Sequence, residues 1–279
     1  MTSMSSRRKT ASLDVAQCAM CAVLYAMGSY LTAYMSSPWG SGQFRPAVVI
    51  PAVFSTLFRP VVGGVGAAVG TLIVESVKHG EIYIRSLVSA VPGNFVGFYL
   101  FGWLMRRRFS WENFIKASQI TLVVSNTMVA FLYVYFRSFV EASYPQAFRD
   151  SWIYISLGLV AWWYVTMLPF VLLVAPPLIR AVASAFPALV SEEIRSSTLR
   201  NEMPRKSFSL AMVSPGLIML LIGLLITLAD SSHILALRLA PSDLILAGMQ
   251  VMFVGSGIVL VALGALVLTT GRFVARAKA

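Results

Sequence analysis

Charge is scarce in this sequence: Asp, Glu, Lys and Arg make up 12% of its 279 residues. An ordinary soluble domain carries about twice that share. So little charge cannot coat a soluble globule, and 58% of the residues are hydrophobic, with a mean hydropathy of +0.78. A soluble cytosolic enzyme is excluded on composition. Cysteine is nearly absent. Cys18 and Cys21 are the only two, too few for a disulfide framework. Histidine is confined to His79 and His233, and HExxH, GxSxG and the Walker GxxxxGK(S/T) pattern are all missing. The expectation is therefore a non-enzymatic chain with no metal, no cofactor and no P-loop of its own. Acidic residues are rarer than basic ones, 11 against 22, which leaves a net charge of +11.

What the sequence does have is long apolar runs. A bilayer core of about 30 Å takes roughly 20 apolar residues per helix. Eight runs stand out: 13–35, 46–58, 61–76, 86–105, 117–136, 152–175, 210–230 and 243–270. The second would reach only about 20 Å as a helix, so it must be buried among neighbours, broken, or extended through Phe44 and Arg45. Strands with open edges cannot satisfy their backbone in lipid, so the runs are helices. The fold class expected is an all-α polytopic membrane bundle of about eight spans. It divides into a membrane core over 1–175, a charged connector over 176–209, and two further spans with a basic tail over 210–279.

Placed on this topology with a cytoplasmic N-terminus, the basic residues sort unevenly. The inside set is Arg7, Arg8, Lys9, Arg59, Arg106, Arg107, Arg108, Lys116, Arg180, Arg195, Arg200, Arg205, Lys206, Arg272, Arg276 and Lys278. The outside set is Arg45, Lys78, Arg85, Arg137, Arg149 and Arg238. That asymmetry follows the positive-inside rule and puts both termini in the cytoplasm of a multi-pass plasma-membrane protein. It accounts for the basic charge through the lipid bilayer and leaves no need for nucleic acid. The first run is too long for a signal-peptide core, holds Asp14 and Gln17, and lacks a small-x-small exit. In the connector, Leu178, Val182 and Ala185 recur at helical spacing until Pro187 interrupts them. Such a segment suits either a helix resting on anionic headgroups or a docking surface.

Small residues mark where helices would touch. Gly66/Gly70 and Gly93/Gly97 are GxxxG pairs, Gly63/Ala67 adds another, and Ala22/Ala26 is an AxxxA on the first helix. Cys18 and Cys21, with no acidic or histidine partners nearby, read as small packing residues. Polar groups inside spans are costly and therefore informative: Glu75, Asn94, Asn126 and Gln250. Asn126 and Tyr133 lie seven apart, two turns up one helix face. Trp39, Phe44, His79 and Tyr83 belong to the outer loops 36–45 and 77–85, and a third loop spans 137–151. Buried amides beneath an aromatic mouth suit a planar, polar small molecule. The candidate binding residues are Trp39, Phe44, Glu75, His79, Tyr83, Asn94, Asn126 and Tyr133. Here the amides would read a heterocycle edge, and Glu75 would select charge. The alternative is an interfacial aromatic belt with interhelical hydrogen bonds and no ligand.

The stretch FRPAVVIPAVFSTLFRPVVGGVGAAVGTLIVE (44–75) resembles the second and third helices of the substrate-binding S component of energy-coupling factor transporters. VPGNFVGFYLFGW (91–103) resembles the same family. The likeness rests on the proline-bounded short helix, the LF-x-P-x-x-G turn and the small-residue helix after it, and it covers about residues 13–175. It implies a subunit that captures a vitamin-like or heterocyclic molecule from outside and delivers it inward. Energy would come from two cytoplasmic ATPases through a transmembrane coupling subunit, engaged by an AxxxA face such as Ala22–Ala26. The chain departs from the family at Arg59, where many relatives have Gly, and at Thr71, where many have Asp. The last two spans exceed the family's usual size and take no role from it. Two other classes compete: a membrane assembly or structural subunit without a ligand, and a membrane-embedded enzyme.

Overall fold

Backbone groups that must pair within their own segment make helices, and 84% of the chain is helical in the computed structural model, which describes residues 2–228 and 243–276. His233, Arg238 and Lys278, together with the end of the seventh expected run, lie outside the described residues. The major helices are α1 (Thr2–Tyr30), α2 (Val49–Leu57), α3 (Pro60–His79), the short α4 (Ile84–Val88), α5 (Ala90–Arg107) and α6 (Trp111–Tyr135). They continue with α7 (Gln146–Asp150), α8 (Trp152–Ala185), α9 (Glu192–Ser196), α10 (Leu199–Glu202), α11 (Arg205–Leu228) and α12 (Asp243–Arg276). Among the described residues no strand forms; one isolated bridge joins Ser36 to Gln43. Among the described residues seven helices are long and apolar enough to cross a bilayer, so the chain is a polytopic helical membrane protein.

The second expected span, 46–58, is a short buried helix. A 3-10 turn over Pro46–Val48 leads into the nine residues of α2, about 18 Å in all. Every residue of α2 but Ile50 is buried. Such a length is tolerated because α1, α3, α5 and α8 surround it. Phe58 is extended and Pro60 sits at the first turn of α3, where a missing N–H costs nothing. Together they turn the chain within two residues.

Glycines set how closely α3 and α5 approach their partners. A Cβ at Gly70 would stand 2.6 Å from the Ala22 carbonyl oxygen, and one at Gly97 would stand 2.5 Å from Ser125 Cβ. The two GxxxG pairs therefore pack inside the molecule, on α1 and α6 respectively. Cys21 meets Gly66 at the same seam. Ala22 and Ala26 are 2% and 6% exposed. The face proposed for a coupling subunit is thus buried within the chain, because α3 has no side chains at Gly66 and Gly70 to hold α1 away.

Two other boundaries differ from expectation. The division at residue 175 falls inside α8, which runs through Pro169, Pro176 and Pro177 to Ala185. Proline is tolerated in membrane helices where neighbours re-satisfy the freed carbonyls. The run 86–105 is split at Ser89 (φ −122°, ψ −69°) into α4 and α5. At one end of the bundle lie the loops 31–45, 80–83 and 141–151; at the other lie Arg59, the α5–α6 turn and α9. Arg59 pairs with Asp14 there at 2.5 Å, and the backbone N–H of Phe109 donates to Glu193.

A candidate ligand cavity at one end of the bundle

The α2–α3 hairpin sets the first part of the site. Arg45 and Glu75 lie equally far in sequence from Pro60, so the antiparallel pair brings them together as a buried ion pair. Gln43 donates to both carboxylate oxygens of Glu75, at 3.0 and 3.2 Å. Burial opposes the charge on Arg45, but Glu75 and Tyr25 beside it outweigh that and hold its pKa above the ordinary value. Glu75 is therefore already neutralised by protein groups and offers no free charge to select a ligand, contrary to its expected role. One turn on, His79 Nδ1 lies 2.8 Å from the Glu75 carbonyl oxygen, which can only accept a hydrogen bond. The His79 ring stacks on Tyr83 at 3.7 Å.

The second part comes from α5 and α6. Asn94 donates to Thr71 Oγ1 at 2.7 Å and accepts from Ser125 at 3.3 Å, so it ties three helices together. Asn126 sits beside it and differs. Its Nδ2 is buried without a hydrogen-bond partner among the described residues, as is Ser86 Oγ. A buried unpaired amide costs about 1–3 kcal/mol, so the arrangement favours something that accepts from it.

The loop over 31–45 closes the site from above. Gly42 takes φ +78°, a left-handed conformation that only glycine adopts freely. Trp163 Nε1 donates to the Gln43 carbonyl at 3.0 Å, which fastens the loop to α8. Arg137, in the π turn after α6, donates to Ser41 Oγ at 3.3 Å and Tyr133 Oη at 3.4 Å, and its guanidinium lies 3.9 Å over the Tyr144 ring. Tyr144 in turn bonds Ser41 at 2.7 Å. Burial, then the neighbouring Tyr133, pushes the Tyr83 hydroxyl up to about 12; burial likewise raises Tyr144. Both stay neutral at physiological pH.

These elements enclose a cavity of about 210 Å³. Six of the eight expected binding residues line it: Glu75, His79, Tyr83, Asn94, Asn126 and Tyr133. The other two do not. Trp39 is buried with its ring against Gly158 of α8, and Phe44 packs edge-on to Phe170 at 5.6 Å. Both anchor the loop rather than face the cavity. Arg45, Lys78, Arg137, Tyr25 and Trp163 also line it and were not among the candidates. Arg45 was legible in principle from its position opposite Glu75 across the Arg59-Pro60 turn; Trp163 carried no signal separating it from an interfacial belt. Among the described residues no group of three or more His, Cys, Asp or Glu is placed to hold a metal ion. Comparison with known proteins gives no matching family model, no similar curated protein and no similar solved structure.

Proposed function

We propose that this chain is the membrane-embedded substrate-binding subunit of an energy-coupling factor type importer. It captures a small heterocyclic molecule from outside and works with a transmembrane coupling subunit and two cytoplasmic ATPases. The observation that carries the reading is the unpartnered amide of Asn126, buried in a cavity walled by Tyr25, Tyr83, Tyr133 and Trp163. A helix-tying amide nitrogen would have a partner, as Asn94 Nδ2 has in Thr71 Oγ1. The cavity lies at the end of the bundle opposite Arg59, Arg106, Arg108 and Lys116, so the positive-inside rule makes it the outer end. The termini are then cytoplasmic and the membrane is the plasma membrane. Because Ala22 and Ala26 are covered by α3, the coupling subunit would meet the exposed side of α1 instead, at Met20, Val23 and Met27.

Mass spectrometry of the small molecules that survive gentle purification tests the reading. A stoichiometric heterocycle is the expected result. An empty protein that co-purifies with a large complex, with no ligand-dependent stabilisation, would instead assign it as a structural subunit.

A further inference from the structure

Resting on the reading of the cavity as a ligand site, we propose that it selects an anionic, acceptor-rich small molecule, with Lys78 and Arg137 as the residues that read its charge. Among the side chains lining the cavity, Arg45, Lys78 and Arg137 are cationic and only Glu75 is anionic. Glu75 is matched by Arg45, which leaves two cations. Neither Lys78 nor Arg137 has a carboxylate within ion-pair distance among the described residues. Lys78 Nζ donates to the Ala33 carbonyl at 2.7 Å, which occupies one of its three protons. Arg137 is fixed by its stack on Tyr144 and by its bonds to the neutral hydroxyls of Ser41 and Tyr133.

The unpaired donors of the wall point the same way. Arg45 Nε and Asn126 Nδ2, buried without partners, can only donate; Ser86 Oγ, likewise unpartnered, can donate too. A ligand rich in acceptors satisfies all three, whereas a cationic ligand meets a surplus of positive charge at the membrane face, where two uncompensated cations are weakly screened. A volume of about 210 Å³ suits a one- or two-ring compound. The ring would lie against the tyrosines, its carbonyl or ring-nitrogen edge toward Asn126, and its carboxylate or other anionic group between Lys78 and Arg137.

The test uses matched triplets on one-ring and two-ring heterocycles, each as carboxylate, amide and aminomethyl compound (pyridine-3-carboxylate, its amide and 3-aminomethylpyridine, for example). Thermal stabilisation of the purified full chain is read, together with the charge of any molecule that co-purifies. Carboxylates should stabilise more than the other two, or the co-purified molecule should be an anion. In Lys78→Gln and Arg137→Gln the preference for carboxylate over amide, each referred to the same variant without ligand, should fall roughly ten- to hundredfold. Equal or better stabilisation by the aminomethyl compounds, or a cationic or uncharged co-purified ligand, overturns the anion selectivity and leaves the binding-subunit reading standing. No stabilisation by any compound and no bound molecule overturns both. The preference of the unaltered chain is decisive even where a variant does not fold.

Discussion

The α11–α12 hairpin is more apolar than the α1–α8 bundle, with span hydropathies of 2.3 and 2.6 against 1.4–2.0, and the two are held together differently. The bundle buries an ion pair (Arg45 and Glu75), four amides (Gln17, Gln43, Asn94 and Asn126) and hydroxyls that include Thr71, Ser118, Thr121 and Ser125. In the described part of the hairpin, Ser209 is the one buried polar residue. There the helices close on each other through glycines. A Cβ at Gly216 would stand 2.9 Å from Val261, and one at Gly257 would stand 2.9 Å from the Gly216 carbonyl. The hairpin touches the bundle at few points. Gln119 of α6 donates to the Ala211 carbonyl at 2.8 Å, with Tyr164 donating to Gln119, and Gly248 rests beside Pro38 of the cavity loop. Hydrocarbon supplies no hydrophobic force between helices, so either close packing or polar contact must join them. The hairpin relies on the first, with one long polar contact from Gln250 Nε2 to the Ile226 carbonyl at 3.5 Å, and the bundle uses both. Only the second can build a site.

The largest effect should follow from breaking the ion pair. Arg45→Leu leaves Glu75 buried and unmatched, which typically costs about 3–5 kcal/mol. Thermal unfolding in detergent should show a large loss that the double variant Arg45→Leu, Glu75→Leu partly restores. Additive losses in that cycle would mean the two charges do not depend on each other.

Packing substitutions sharpen the contrast between the two regions. Gly70→Leu forces a side chain into the Ala22 backbone, and overpacking costs about 1–3 kcal/mol or more; it should unfold the bundle and abolish ligand binding together. Gly216→Leu should open the hairpin by a similar amount while leaving ligand affinity unchanged. Equal loss of affinity in both variants, measured by calorimetry, would make the hairpin part of the site.

Within the bundle the two asparagines should separate. Asn94→Leu removes bonds to Thr71 and Ser125 and should lower stability by about 1 kcal/mol. Asn126→Leu breaks no bond within the protein. It should leave stability unchanged or improved and weaken ligand binding by about 1–3 kcal/mol, or roughly ten- to hundredfold. A stability loss in Asn126→Leu with affinity intact would return that residue to helix tying.

The smallest expected effect is at alkaline pH. Tyr83 holds its proton more tightly in the folded protein than in the unfolded chain, because burial and then Tyr133 raise it to about 12. A raised pKa contributes stability that is complete below the ordinary tyrosine value of about 10 and is lost as pH rises through about 12. The stability difference between the wild type and Tyr83→Phe should therefore shrink between those limits. A difference that is flat across the window would remove Tyr83 from the cavity's wall.

Much of the architecture could be read from runs and charges alone. Apolar length dictates helices wherever the backbone must pair with itself, and spacing placed Asn126 and Tyr133 on one face with no knowledge of the fold. Loop membership was a poorer guide. Trp39 and Phe44 belong to the expected outer loop, yet each turns into a groove on α8, at Gly158 and at Phe170. A sequence does not state which side of a loop meets a helix more than a hundred residues away. Ala22 and Ala26 were legible as a smooth face, but not as one already filled by α3. The apolar run ended at 175, but the helix that begins in it continues through Pro176 and Pro177 to Ala185.

What the sequence alone determined is therefore the solvent this chain folds in, the helical form of its spans and the polar residues that burial would make costly. Tertiary structure decided which of those polar residues satisfy one another and which stay open. Asn94 and Asn126 are the same chemical group on neighbouring helices; Thr71 and Ser125 stand within reach of Asn94, while Asn126 Nδ2 has no such neighbour. A hydrogen bond depends on distances of about 3 Å, and only the packed helices set those.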